Sequence, residues 1–191
     1  MLQRIITNKL IEWKGNPSHK CLMIRGARQI GKTYSIENFG HTEYESCITI
    51  NFLKNPSYKK IFSGDLDTKT LLMNLALYIP NAELIPGNTL IFIDEIQECP
   101  EAITSLKFWN EDDRYDVIAS GSMLGIDYKR PTSYPVGAVT YYDMHALNFY
   151  EFLLASGISE DVIAKVKECY DNLEPVPVPI HERMMEQFLM E

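Results

Sequence analysis

The run Gly26-Ala27-Arg28-Gln29-Ile30-Gly31-Lys32-Thr33 fits the pattern G-x-x-x-x-G-K-[ST] without a mismatch. That pattern is a grip for the phosphates of a nucleotide. Its glycines let backbone N–H groups turn inward around phosphate oxygens, its lysine reaches the β- and γ-phosphates, and its final hydroxyl ligates Mg²⁺. A helix starting at Lys32 adds the positive end of its dipole. The residues expected around the nucleotide are therefore Gly26, Ala27, Arg28, Gln29, Ile30, Gly31, Lys32 and Thr33, with Tyr34 one step into the helix.

A second chemical group follows the apolar run Leu90-Ile91-Phe92-Ile93, which ends in the two carboxylates Asp94 and Glu95. Open α/β sheets bind ligands at the carboxyl ends of their strands. There Asp94 completes the Mg²⁺ shell opposite Thr33, and Glu95 polarises the attacking water as general base. With Lys32, Glu95 is the expected catalytic pair. A third group is the tip Ser120-Gly121-Ser122 behind Val117-Ile118-Ala119. A hydroxyl of Ser120 or Ser122 beside the Asp94 strand would report the γ-phosphate. The same residues also suit a plain turn or a helix N-cap.

These groups need strands that end together. Cys21 to Ile24, Ser46 to Phe52, Thr89 to Ile93, Tyr115 to Ala119 and Val139 to Met144 read as strands, the third apolar enough to be buried on both faces. Between them, helices are expected over Lys32 to Phe39 with Gly40 as the stop, Leu66 to Tyr78, and Ala102 to Trp109. Asn55 to Asp67 is loop or short helix. Leu2, Ile5, Ile6, Leu10 and Ile11 mark an amphipathic helix before Gly15-Asn16-Pro17, expected on the sheet edge. Strands alternating with helices imply an α/β fold, a doubly wound parallel sheet of about five strands with flanking helices.

Beyond Pro131 the texture changes. Helices are expected over Leu147 to Ala155 and Glu160 to Tyr170, then Pro175-Val176-Pro177-Val178-Pro179 as a stiff extended connector, then a helix-prone end from Ile180. The division expected is a nucleotide-binding core over residues 1–145 and a small helical extension over 146–191. The aromatic residues Tyr141, Tyr142, Phe149, Tyr150 and Phe152 lack interleaved Lys or Arg and read as core rather than as a base-stacking platform.

Composition bounds the partners. The 191 residues are 46% apolar and 23% charged with a net charge of −8, which speaks against a broad nucleic-acid-binding face. No membrane span and no signal peptide are legible, so a cytoplasmic location is expected. The four cysteines and four histidines are scattered, without the spacing of a zinc site or a disulfide scaffold. No Asn-Lys-x-Asp motif supports guanine recognition, and the Asp94-Glu95 pair suits water activation better than phosphoryl transfer to a small acceptor.

The runs Gly26 to Thr33, Phe92-Ile93-Asp94-Glu95-Ile96-Gln97, Ala119-Ser120-Gly121-Ser122 and Leu147-Asn148-Phe149-Tyr150-Glu151-Phe152-Leu153, in that order, resemble the AAA-type ATP-binding domain of a large bacterial and archaeal family. That resemblance implies a P-loop ATPase core using ATP and Mg²⁺, with the catalytic glutamate at Glu95 and a γ-phosphate sensor at Ser120 to Ser122. It also implies a C-terminal domain with a nuclease-like fold, beginning where this chain stops, and it allows a homo-oligomer. One departure stands out. The family's usual Gly-Arg pair falls at Gly137-Ala138, so an arginine that could act as a charge-stabilising finger is replaced. Lys129 and Arg130 read as solvated loop charges rather than substitutes. The departure leaves an alternative open, a nucleotide-dependent binding switch with little turnover.

Overall fold

Strand β3 (Thr89–Asp94) is buried at every position, and the reason lies in what covers each face. Alternate residues of a strand point to opposite sides. Leu90 and Phe92 join a cluster with Leu22, Ile24 and Ile118, whereas Ile91 and Ile93 join one with Met23, Val117 and Ala119. The first cluster is closed by helices α1 (Ile5–Gly15) and α2 (Lys32–Glu43), the second by α3 (Thr68–Tyr78) and α4 (Pro100–Asp112). A strand with helices on both sides has no polar face, which is why its sequence is a continuous apolar run.

The computed structural model of the chain describes residues 4–122, 135 and 137–189. Besides β3, the sheet contains β1 (Cys21–Gly26), β2 (Ser46–Asn51), β4 (Asp116–Ser122) and β5 (Val139–Asp143). All pairs are parallel, in the order β2-β3-β4-β1-β5, the five-stranded α/β architecture expected. The register matters for the site. Asn51 stands level with Asp94, and Gly26 with Ser122. At the opposite end of the sheet His19 Nε2 lies 2.7 Å from Asp116 Oδ1, and Tyr44 donates to Asp116 Oδ2 at 2.5 Å.

Several expectations change in detail. Helix α1 packs through Ile6, Leu10 and Trp13 onto the sheet's face, not its edge, and leaves Ile5 and Ile11 exposed. The stretch after β2, expected as loop or short helix, is a 3₁₀ turn over Pro56–Phe62, whose Ile61 and Phe62 are buried. Gly40 does not end α2; it lies inside the helix, at a point so close to β2 that an added Cβ would lie 2.4 Å from Cys47 Sγ. Tyr141, Phe149 and Tyr150 are exposed rather than core. Tyr141 lies on edge strand β5 with the Arg25 guanidinium 4.8 Å from its ring centroid.

Ile6–Ala146 form one compact unit; Arg4 and Ile5 group with the residues from Leu147 onward in a second. The second unit holds α5 (Phe149–Ala155), α6 (Glu160–Asp171) and α7 (Val178–Leu189). Helix α7 begins at Val178, so Val178-Pro179 belong to the helix and not to an extended connector. Proline is accommodated in a first turn, where its missing N–H would find no partner.

Glu151 organises the start of this unit. Its Oε2 accepts the Asn148 amide at 3.0 Å while Asn148 Oδ1 accepts the Glu151 amide at 2.8 Å, a capping box. Its Oε1 accepts Arg4 Nε at 3.0 Å and the Ile5 amide at 2.8 Å, with both side chains buried. Burial pushes the Glu151 carboxyl up, but the Ile5 and Asn148 amides and Arg4 outweigh it and hold it below the usual carboxylate range.

A carboxylate depressed in the folded state stabilises fully above its unfolded pKa, and that contribution fades as pH falls through the folded pKa. Glu151→Gln is expected to cost about 1–3 kcal/mol near neutrality. The difference from wild type should shrink below about pH 4, as read by urea unfolding followed by circular dichroism across that range.

Candidate nucleotide site

Gly26 closes β1 and cannot be replaced without moving the neighbouring backbone. A Cβ there would stand 2.3 Å from the Met144 carbonyl oxygen and 2.6 Å from Ile30 Cδ1. The loop then turns through left-handed backbone at Gln29 (φ 63°) and Gly31 (φ 90°), and α2 starts at Lys32. Ile30 tucks its side chain against the core, which leaves Arg28, Gln29, Thr33 and Tyr34 to line a cleft of about 680 Å³ with Glu95. That volume is in the range of small-molecule sites.

The Lys32 ammonium donates to the carbonyls of Gly26 at 3.0 Å and Ala27 at 2.6 Å, bridging the loop from beneath. Burial lowers its pKa, with Glu95 and Asp94 pulling the other way. A desolvated cation at the loop's centre is what a polyphosphate anion would neutralise.

Asp94, only 2% exposed, is the meeting point of the site. Its Oδ2 accepts Thr33 Oγ1 at 3.0 Å and Asn51 Nδ2 at 2.7 Å. Its Oδ1 accepts the Ser120 hydroxyl and the Glu95 amide, the latter at 3.1 Å. The Thr33 hydroxyl and the Asp94 carboxylate are hard oxygen donors, the set that Mg²⁺ prefers with a phosphate completing its shell. Among the described residues no group of three or more His, Cys, Asp or Glu forms a metal site without a phosphate.

Glu95 faces the cleft on left-handed backbone (φ 55°, ψ 46°), and its Oε2 accepts Gln97 Nε2 at 2.5 Å. Both serines of the tip lie within β4, which runs through Ser122, so neither serves as a helix cap. Ser120 is fully buried on Asp94, and Ser122, 3% exposed, stands beside Gly26.

Two residues were missed from sequence. Asn51 ends β2 at the level of Asp94, and its Oδ1 also accepts the Leu53 and Lys54 amides at 3.0 and 2.8 Å. The signal was a lone amide closing the alternating run Ser46 to Asn51. Gln97 lies in a 3₁₀ turn whose shape no local pattern announces.

A family model described as an AAA domain matches residues 18–153. The chain belongs to that family. It is a nucleotide-binding AAA module, a five-stranded parallel sheet with a phosphate loop at the end of β1. A structure of Drosophila ORC bound to DNA is similar to it at 13% identity with a TM-score of 0.53, covering 86% of this chain and 47% of that one. A structure of C. elegans PCH-2 is similar at 14% identity and a TM-score of 0.47, covering 86% and 50%. The AAA module thus spans about half the length of these solved chains. No curated protein matches it. Among the described residues no helix is long and apolar enough to cross a membrane.

Ala138, where the resemblance leads one to expect an arginine, has a definite place. Ala138 is buried just before β5, whose Val139 pairs with Cys21, at the far end of β1 from Gly26. Five residues of strand separate those levels, about 16 Å. An arginine there would have been remote from this chain's own loop. Lys129 and Arg130 lie outside the described residues.

Asn51→Ala removes a donor from a buried carboxylate and two acceptor contacts from the turn after β2. It is expected to cost about 1–3 kcal/mol, measured by urea unfolding with no nucleotide present.

Proposed function

We propose that this AAA module binds ATP with Mg²⁺ in the cleft beside Gly26 to Thr33 and hydrolyses it to ADP and phosphate. The observation that carries the reading is the convergence on the loop of Thr33, Asp94 and Glu95. Thr33 and Asp94 are the residues that would hold Mg²⁺, which when bound withdraws charge from the β- and γ-phosphate oxygens. Lys32 and the loop amides receive the phosphates, and positive charge already aimed at a developing anion needs no reorganisation during reaction.

Glu95 has a different task. Its carboxylate accepts a proton from the attacking water as oxygen bonds to the γ-phosphorus and the bridging oxygen leaves with ADP. Asp94, 2% exposed beside Thr33 and absent from the cleft's lining, is assigned to the metal side of the site rather than to this step. Ser120 is assigned to fixing Asp94, and Ser122, beside Gly26, to reading the γ-phosphate. In the full-length protein the nucleotide state is passed to a C-terminal effector domain, and a homo-oligomer in the cytoplasm is the form that fits an AAA module.

Lys32→Ala is expected to weaken ATP binding at least ~10-fold, measured with a fluorescent ATP analogue. Glu95→Gln should keep binding and lower turnover by ~10² or more, measured by phosphate release. Equal rates in Glu95→Gln and wild type would remove the base assignment.

Ala138 favours a second reading, a switch that holds ATP without turnover. An arginine at that position would serve a neighbouring copy rather than its own loop, so the two readings separate on concentration. Phosphate release that rises per molecule as the protein is concentrated supports an assembled ATPase; tight binding with no release at any concentration supports the switch.

A further inference from the structure

Glu95 is held in an unusual way. A residue other than glycine on left-handed backbone costs about 1 kcal/mol or more and persists only where its surroundings impose it. Here the imposing residue is Ile96, 1% exposed in the core, in a turn packed against β4 and α4. Seating Ile96 inward turns the preceding residue outward, and the Glu98 amide closes the turn on the Glu95 carbonyl at 3.0 Å. That sets the Glu95 backbone but not its carboxylate, which sits at the end of three rotatable bonds.

The carboxylate's anchor is Gln97. Gln97 Nε2 donates to Glu95 Oε2 at 2.5 Å, the one side-chain hydrogen bond to that carboxylate among the described residues. The amide is oriented by this contact, since turning it over would set oxygen against oxygen. Its other end is unusual too. Gln97 Oε1 is buried and has no hydrogen-bond partner among the described residues. It lies over Gly121, where an added Cβ would come within 3.0 Å of it. A side chain whose buried acceptor goes unpaired gives up stability. This one satisfies only the end that faces Glu95, and the sequence leaves room for it with a glycine between two serines.

We propose that Gln97 is a positioning residue that fixes the Glu95 carboxylate toward the attacking water, with Gly121 as the seat of its amide. The proposal rests on Glu95 being the base. Among the described residues Gln97 makes no hydrogen bond to Lys32, Thr33 or Asp94 and does not line the cleft, so its loss acts on turnover and not on binding. Misplacing a catalytic group by about 1 Å costs up to ~10²-fold in rate.

The test uses the 191-residue chain in five forms: wild type, Gln97→Ala, Gln97→Glu, Glu95→Gln and the double variant Glu95→Gln with Gln97→Ala. ATP dissociation constants come from a fluorescent analogue and single-turnover rates from phosphate release, with urea unfolding as a control for folding. Gln97→Ala should lower the rate about 10- to 100-fold with the ATP dissociation constant within about twofold. In the Glu95→Gln background, removing Gln97 should change the rate little, because the group it positions is already gone. Gln97→Glu, of the same shape but like charge, should be at least as slow as Gln97→Ala while binding ATP.

A wild-type rate in Gln97→Ala overturns the proposal while leaving Glu95 as base. So does a loss that appears as weakened binding, or one that multiplies fully onto Glu95→Gln. A wild type no faster than Glu95→Gln removes the base reading and, with it, the role of Gln97.

Discussion

A carboxylate buried at the end of a strand must be paid for with hydrogen bonds, and most of the site's geometry follows from how Asp94 is satisfied. Its four donors come from four places in the chain: Thr33 on α2, Asn51 at the end of β2, Ser120 on β4, and the amide of Glu95 next to it. An unpaired charge in such a place would cost several kcal/mol. The folded state is therefore strongly biased toward arrangements in which these elements end at one level. The parallel register delivers that: Asn51 stands level with Asp94, and Ser122 with Gly26.

The phosphate loop depends on the same alignment. Gly26 has no room for a side chain because the Met144 carbonyl and Ile30 crowd it, and Met144 is tied to β1 through the hydrogen bond its N–H donates to the Arg25 carbonyl at 2.7 Å. Strand β5 thus buttresses the loop from the sheet's edge. Lys32 completes the arrangement by bridging the Gly26 and Ala27 carbonyls from the first turn of α2. That helix sits close to the sheet at Gly40, against Cys47 and Leu90, and in its first turn Thr33 donates to Asp94 at 3.0 Å.

Much of the fold was legible in the sequence because a strand covered on both faces leaves a continuous apolar run, and one following a Gly-rich loop can be placed on a parallel sheet. What resisted reading were features whose cause lies elsewhere in the chain. The two faces of α1 are an example: Ile5 and Ile11 are as apolar as Ile6 and Leu10, and only the sheet decides which are buried. Tyr141 likewise looked like core, but β5 turned out to be an edge strand. Val178-Pro179 looked extended because proline-rich runs usually are; the first helical turn tolerates them.

By itself the sequence determined the chemistry on offer: a phosphate-gripping loop at Gly26 to Thr33, two acidic residues at a strand exit, and an α/β sheet to carry them. These are local properties, carried by glycine freedom, side-chain type and hydrophobic period, and they survive without knowledge of any contact. The tertiary structure decided how the two acids differ. Adjacent in sequence, they part because Ile96 is drawn into the core: Asp94 is sealed under four donors, while Glu95 is turned into the cleft and held through Gln97. Asn51 and Ser120 gain their roles only because strand register sets them against one carboxylate. The place of Ala138, just before β5 at the end of the sheet away from the loop, is likewise set by strand register. The contacts of Asn51 and Ser120 with Asp94 join residues far apart in the chain, and even the short-range Glu95–Gln97 contact depends on the burial of Ile96, which no local pattern encodes.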